Sequence, residues 1–211
     1  MGMQCQYARG LVSEVSVKIS PRERLKHETK ALHKRLDSLP LMHSLTQKDL
    51  DVSRYTETLK VMYQWLLMVA PKLAQLDLPN YARPERKIEA LSRDLHHLGQ
   101  PASLHPVSSD VHGLHFAMGI HYVLEGSSMG ARLLAPRIEA SLGRSDVTQF
   151  YRLYGEHTFD YWQRTLSLID ETLDDEQAVV DACEGACWAF ISLIERVESA
   201  EALHSRSSAS E

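Results

Sequence analysis

Ser20-Pro21-Arg22-Glu23-Arg24-Leu25-Lys26-His27-Glu28-Thr29-Lys30-Ala31-Leu32-His33-Lys34-Arg35-Leu36 reads as an α-helix from its first residue. Serine stands at the N-cap, proline fills the first helical position, and glutamate is placed to complete a capping box. Leu25, Thr29, Leu32 and Leu36 recur at helical spacing and form one buried stripe. At about 100° per residue, His33 falls on the flank of that stripe and His27 on the opposite face. On this helix alone, His33 reads either as a hydrogen-bonded core histidine or as a ligand. Lys26 lies two turns earlier on nearly the same side, either solvated or in reach of an anionic group bound beside the imidazole.

The same signals recur along the 211-residue chain. A start near Thr46 leads through Tyr55, Leu59, Met62, Tyr63, Leu66 and Leu67 to Pro71. A further helix spans 84–98, stopped by Gly99, and residues 100–110, with Pro101, Pro106 and three serines, read as a loop. Long helical segments then cover 111–142 and 150–173, and a last helix, capped by Asp174 and Gln177, runs through Trp188 and Leu193 to about Ala202. No repeat and no alternating apolar–polar run interrupts the series, so the fold class is all-α. The length suits one helical domain, 20–204, between a flexible N-terminal arm, 1–19, and a disordered tail, 205–211.

Hydrophobic residues at 44% and charged residues at 24% are ordinary for a globular domain. A formal charge of −5 lacks the basic footprint of a nucleic-acid binder. No continuous apolar run approaches the ~20 residues of a membrane span, and the N-terminus carries no secretion pattern, so no membrane partner is expected and the expected location is cytoplasmic. Cys183 and Cys187, four apart in a helical segment, and Cys5 in the arm make an odd set with no disulfide framework, as in a reducing compartment. His96, His97, His112 and His115 lack further ligands at zinc spacing and read as surface or loop histidines.

The segment Gly119-Ile120-His121-Tyr122-Val123-Leu124-Glu125-Gly126-Ser127-Ser128-Met129-Gly130-Ala131 is the more informative one. Its glycines, at offsets of seven and four, share a helix face. Each costs about 1 kcal/mol relative to alanine in a helix interior. Two explanations stand: close packing against another helix, or a backbone that must approach a flat ligand. Ser127 and Ser128 add small hydroxyls able to hold water or to bond back to helix carbonyls.

Residues 25–37, with His33 four after Thr29 and four before Asp37, resemble the proximal helix of haem oxygenases. The stretch Tyr122 to Gly130 is similar to the glycine-rich distal helix of the bacterial, biliverdin-producing branch. The two motifs occur in the right order about ninety residues apart, and the resemblance extends from Arg22 to Val197. It implies the single-domain helical haem oxygenase fold, with haem sandwiched between a proximal and a kinked distal helix. It makes His33 the axial ligand to the iron, Asp37 the acidic partner that orients the imidazole, and Lys26 a contact to a haem propionate. Gly126 and Gly130 let the distal helix lie over the haem, with Ser127 beside them among the catalytic positions. Two departures stand out: Ser127 replaces the aspartate with which the mammalian branch orders distal water, and Ala131 replaces a glycine common among relatives.

The implied chemistry suits these residues. A histidine on one face leaves the other side of the iron to O2, and a close, side-chain-free backbone steers oxygen toward a ring-edge carbon. Haem is then cofactor and substrate together, and the protein supplies orientation and electrostatics. No nucleotide-binding glycine loop follows a strand, so electrons must come from an external donor such as ferredoxin, flavodoxin or a reductase. Arg132, Arg137 and Arg152 are further candidates for the propionates, and a bilin-binding photoreceptor is a candidate recipient of product. The alternative on the same fold is a haem carrier or sensor that leaves the ring intact, and a non-haem relative would lack the axial role of His33. A di-iron carboxylate centre needs paired Glu-x-x-His motifs, and only Glu201-x-x-His204 occurs, near the tail.

Overall fold

The computed structural model describes residues 19–100 and 113–208, with side chains through Leu203. The arm through residue 18, residues 101–112 of the loop region with His112, and residues 209–211 lie outside the described residues. Among the described residues, seven α-helices and three short 3-10 turns follow one another and no strand occurs.

Local chemistry accounts for most helix ends. α1 (Pro21–Ser38) has its capping box: Ser20 Oγ accepts the Glu23 N–H at 3.4 Å, and the Glu23 carboxylate accepts the Ser20 N–H at 3.1 Å. Leu39 is extended ahead of Pro40, as a residue before proline prefers, and α2 (Pro40–Ser44) follows. α3 (Val52–Val69) begins later than the Thr46 signal. The Thr46 hydroxyl is engaged by the His43 carbonyl at 2.8 Å, and Asp51 caps α3 by accepting the Arg54 N–H at 2.8 Å. α4 (Pro84–His97) starts on its proline and stops before Gly99, whose φ of 73° is left-handed. α5 (Leu114–Leu142) runs unbroken through its three glycines and Pro136, which withholds an N–H from the Arg132 carbonyl.

α6 (Thr158–Thr172) is shorter than the expected 150–173 segment, whose first residues are turns. The buried carboxylate of Asp94 accepts the N–H groups of Gln149 and Phe150, each at 2.9 Å, and holds this connection against α4. Burial pushes that carboxyl up to about 6. α7 (Glu176–Ser208) is capped by Asp175 rather than Asp174, with Oδ1 accepting the Ala178 N–H at 2.7 Å. It continues past Ala202 into the stretch read as a tail.

α7 is the centre of the packing, touching α1, α3 and α5. By length and composition its Glu176–Leu203 portion would cross a membrane, although charged residues deny it a continuous apolar run; more than half of its apolar window is buried in the protein. Ala178, Ala182, Ala186 and Ala189 are essentially solvent-free and make a flat face. A Cβ on Gly119 would overlap the carbonyl of Ala182, and a Cβ on Gly185 would overlap the carbonyl of Phe116. The two helices therefore meet backbone to backbone at Gly119 and Gly185. α6 bridges α1 and α5, and the Arg22–Asp170 ion pair ties it to the start of α1.

Candidate functional site

His33 projects from α1 with its Nδ1 at 3.0 Å from Asp37 Oδ2, one turn on. The Phe190 ring of α7 stands edge-on to the imidazole, centroids 5.6 Å apart. A proton on Nδ1, the nitrogen facing the Asp37 carboxylate, would leave Nε2 to offer a lone pair to a metal. His27 is 81% exposed and 3.6 Å from Glu28, too long for a hydrogen bond, and no ring among the described residues packs on it. His33 is itself 63% exposed, more than the edge of a buried stripe suggests. Only one side of its ring is covered, by α7.

Tyr122 of α5 faces Thr29 of α1, whose side chain opposes the upward push of burial on the phenol. From that pair His33 lies one turn on along α1, and Gly126 and Gly130 lie one and two turns on along α5. The three glycines part company here. Gly119 belongs to the α7 crossing, so helix packing explains it. A Cβ on Gly126 would stand 3.4 Å from the Trp162 ring of α6, ordinary contact. A Cβ on Gly130 would meet nothing within 4 Å. Leu133, seven positions after Gly126 and so on its face, is 70% exposed. A bare backbone followed by an uncovered apolar side chain is the surface a flat apolar ligand needs.

The donor set fits haem on these grounds. His33 sets an exposed imidazole beside a carboxylate, and Gly130 offers backbone without side chain. The neighbouring charges are sorted by their partners. Arg152 is committed to Glu139 through Nη2–Oε2 at 2.6 Å, which removes it from the candidates for a propionate. Lys26, Arg132 and Arg137 are exposed. Ser127 is exposed and its hydroxyl donates back to the Leu124 carbonyl at 2.7 Å, leaving oxygen lone pairs for water. The defined cavities, of about 450 Å3 beside Leu73 and Arg83 and about 220 Å3 beside Leu41 and Glu57, include neither His33 nor Gly130.

Sequence reasoning missed the ionic groups behind α5. Lys87 Nζ donates to Ser128 Oγ at 2.8 Å, lies 3.4 Å from Glu125 Oε1, and sits 4.3 Å from the centre of the Tyr154 ring. The Tyr154 hydroxyl donates to the Glu125 carboxylate at 3.0 Å. Lys87 and Glu125 are 3% and 1% exposed. Burial lowers the pKa of Lys87, with Glu125 opposing, and raises that of Tyr154. His121, one turn before Glu125, has a buried Nδ1 without a hydrogen-bond partner, and burial pulls it down to about 4, so it is neutral at pH 7. The available signal was Lys87's phase, three after Pro84 and four before Leu91 on the buried stripe of α4. Cys183 is a core residue whose thiol burial pushes up to about 12, so it is not a reactive thiol.

No family model matches the chain. A haem oxygenase of Xanthomonas campestris pv. campestris (strain 8004) is 26% identical over 157 residues, covering 71% of this chain and 92% of that protein. The crystal structures of the NO- and CO-bound haem oxygenase of Neisseria meningitidis share the fold, with a TM-score of 0.72 and 22% identity over 86% of this chain and 92% of that one. Likeness of sequence over most of the chain and likeness of fold coincide on haem oxygenases, and the chain has the haem oxygenase fold.

Proposed function

We propose that this chain binds haem between α1 and α5 and cleaves its macrocycle to biliverdin, CO and ferrous iron, using O2 and electrons from an external donor. Bound haem supplies the iron at which O2 is activated and the ring carbon that is attacked. His33 Nε2 is the protein's ligand to that iron, and Asp37 fixes the proton on Nδ1 so that the free nitrogen faces the metal. The Gly126–Gly130 backbone would cover the other haem face, where its peptide groups and the Ser127 hydroxyl would orient bound oxygen and water. Lys26, Arg132 and Arg137 are the cations offered to the propionates. Lys26, Lys30 and Lys34 give α1 a basic exposed surface around His33, complementary to an acidic redox donor such as ferredoxin or flavodoxin. The same reading has the enzyme work in the cytoplasm, where reduced donors are available.

The observations that carry the proposal are the His33 imidazole beside the Asp37 carboxylate on α1 and the bare, open Gly130 on α5. The test is to add haemin to the purified protein in air with ascorbate or a ferredoxin–reductase system and identify the pigment. Biliverdin, with CO released, is the expected result. Stable haem binding without loss of the ring would make the protein a carrier or sensor, and failure to bind haem would overturn the site itself.

A further inference from the structure

The cluster of Lys87, Glu125, Ser128 and Tyr154 has no place in the haem-facing chemistry, yet it grips α5 at the turn that carries Gly126. At about 100° per residue, His121, Glu125 and Ser128 gather on the side of α5 opposite Gly126 and Gly130. Glu125 directly precedes Gly126, and Ser128 lies midway between the two glycines. Lys87 comes from α4, which otherwise packs chiefly on α3.

A buried ion pair is a poor way to gain stability, because apolar residues of the same volume commonly do as well or better. Its distinguishing property is that few arrangements satisfy it. Here the lysine's donors meet the Ser128 hydroxyl and the Glu125 carboxylate, its charge lies over the Tyr154 face, and the same carboxylate accepts the Tyr154 hydroxyl. A slide of α5 along its axis, or a rotation about it, would leave a lysine and a glutamate buried and unmatched. The backbone contact with α7 is at Gly119, two turns before Gly126, and beyond it no neighbour would touch a Cβ on Gly130.

We infer that the Lys87–Glu125–Ser128–Tyr154 cluster sets the height and rotation of the Gly126–Gly130 backbone over the haem, with Lys87 and Glu125 as positioning residues. This rests on the oxygenase reading for what lies on the far side of the helix. The cluster reaches no reacting atom; it acts through the backbone it holds.

The test compares wild type with Lys87→Met and with the double variant Lys87→Met/Glu125→Gln, which leaves no buried charge and so keeps the fold testable. In the apo proteins, amide hydrogen exchange over 125–131 is expected to rise about tenfold or more in the double variant, while α1 and α7 are unchanged. After addition of haem and CO, the C–O stretch is expected to shift or broaden, because it senses the nearest backbone dipoles. Unchanged exchange over 125–131, a rise shared equally by every helix, or a wild-type C–O stretch in the double variant would overturn the inference. Failure of the wild-type chain to bind haem would overturn the oxygenase reading, and the role over haem with it. Normal haem binding with unaltered exchange and stretch would overturn the positioning role alone.

Discussion

His33 Nδ1 and Asp37 Oδ2 stand 3.0 Å apart on successive turns of α1, which places a carboxylate beside one of the two imidazole nitrogens. Partners of this kind affect metal affinity or activity by about 10–100-fold. We expect Asp37→Ala to weaken haem binding by a factor in that range, and His33→Ala to abolish the axial imidazole and turnover. His27→Ala should leave both unchanged, because its ring has no carboxylate within hydrogen-bond distance. Haem titration and the Soret spectrum of the three variants test this; equal losses in His33→Ala and His27→Ala would remove His33 from the iron.

Haem should raise the melting temperature of the protein. A ligand that binds only the folded state adds about 2.7 kcal/mol at a hundred times its Kd, about 5–10 °C in a domain of this size. Thermal unfolding with and without saturating haem reads the effect, and no shift would count against a site built into the native fold.

The glycines of α5 should respond in opposite ways. Gly119→Ala places a methyl group into the Ala182 carbonyl and must push α5 off α7, so a marked loss of apo stability is expected. Gly130→Ala enters open space on an exposed turn and should stabilise the apo protein by about 1 kcal/mol. Apo melting temperatures decide it; a stabilised Gly119→Ala would contradict the backbone crossing.

Acid stability should depend on His121. Burial lowers its imidazole from 6.5 to about 4, so only the unfolded chain takes up its proton between those values. The stability due to neutral His121 is full above pH 6.5 and is lost as pH falls through 4. Asp94 has the opposite sign: burial raises its carboxyl from 3.8 to about 6, so its cost is absent below 3.8 and grows as pH rises toward 6. We expect the melting temperature of wild type to fall from pH 6.5 to 4 more steeply than that of His121→Gln. Parallel slopes would show that His121 does not stay neutral in the folded state.

How much of this was legible in the sequence follows from where each signal resides. The start of α1 lies wholly within Ser20 to Glu23, and the proximal pair within four residues of one helix, so both could be read locally. Thr46 and Asp51 are equally good caps on paper. The tertiary turn decides between them by engaging the Thr46 hydroxyl with His43. The turns after Phe150 depend on Asp94, more than fifty residues away, and nothing nearby announces them. The glycine face of α5 was visible as a face, but its division between helix crossing at Gly119 and open space at Gly130 needed the position of Ala182. Lys87 and Glu125 each fall in a buried phase, yet their pairing across 38 residues is a fact of the fold alone.

The most direct test of the account is single-turnover conversion of haem to biliverdin by wild type and Gly130→Val, with apo melting and haem affinity measured on the same preparations. If the Gly130 backbone lies over the haem, the valine side chain intrudes where oxygen must be directed, while the bond from His33 on the other face is untouched. The account predicts near-normal apo stability and haem binding with turnover strongly reduced. Turnover at the wild-type rate in Gly130→Val would contradict it.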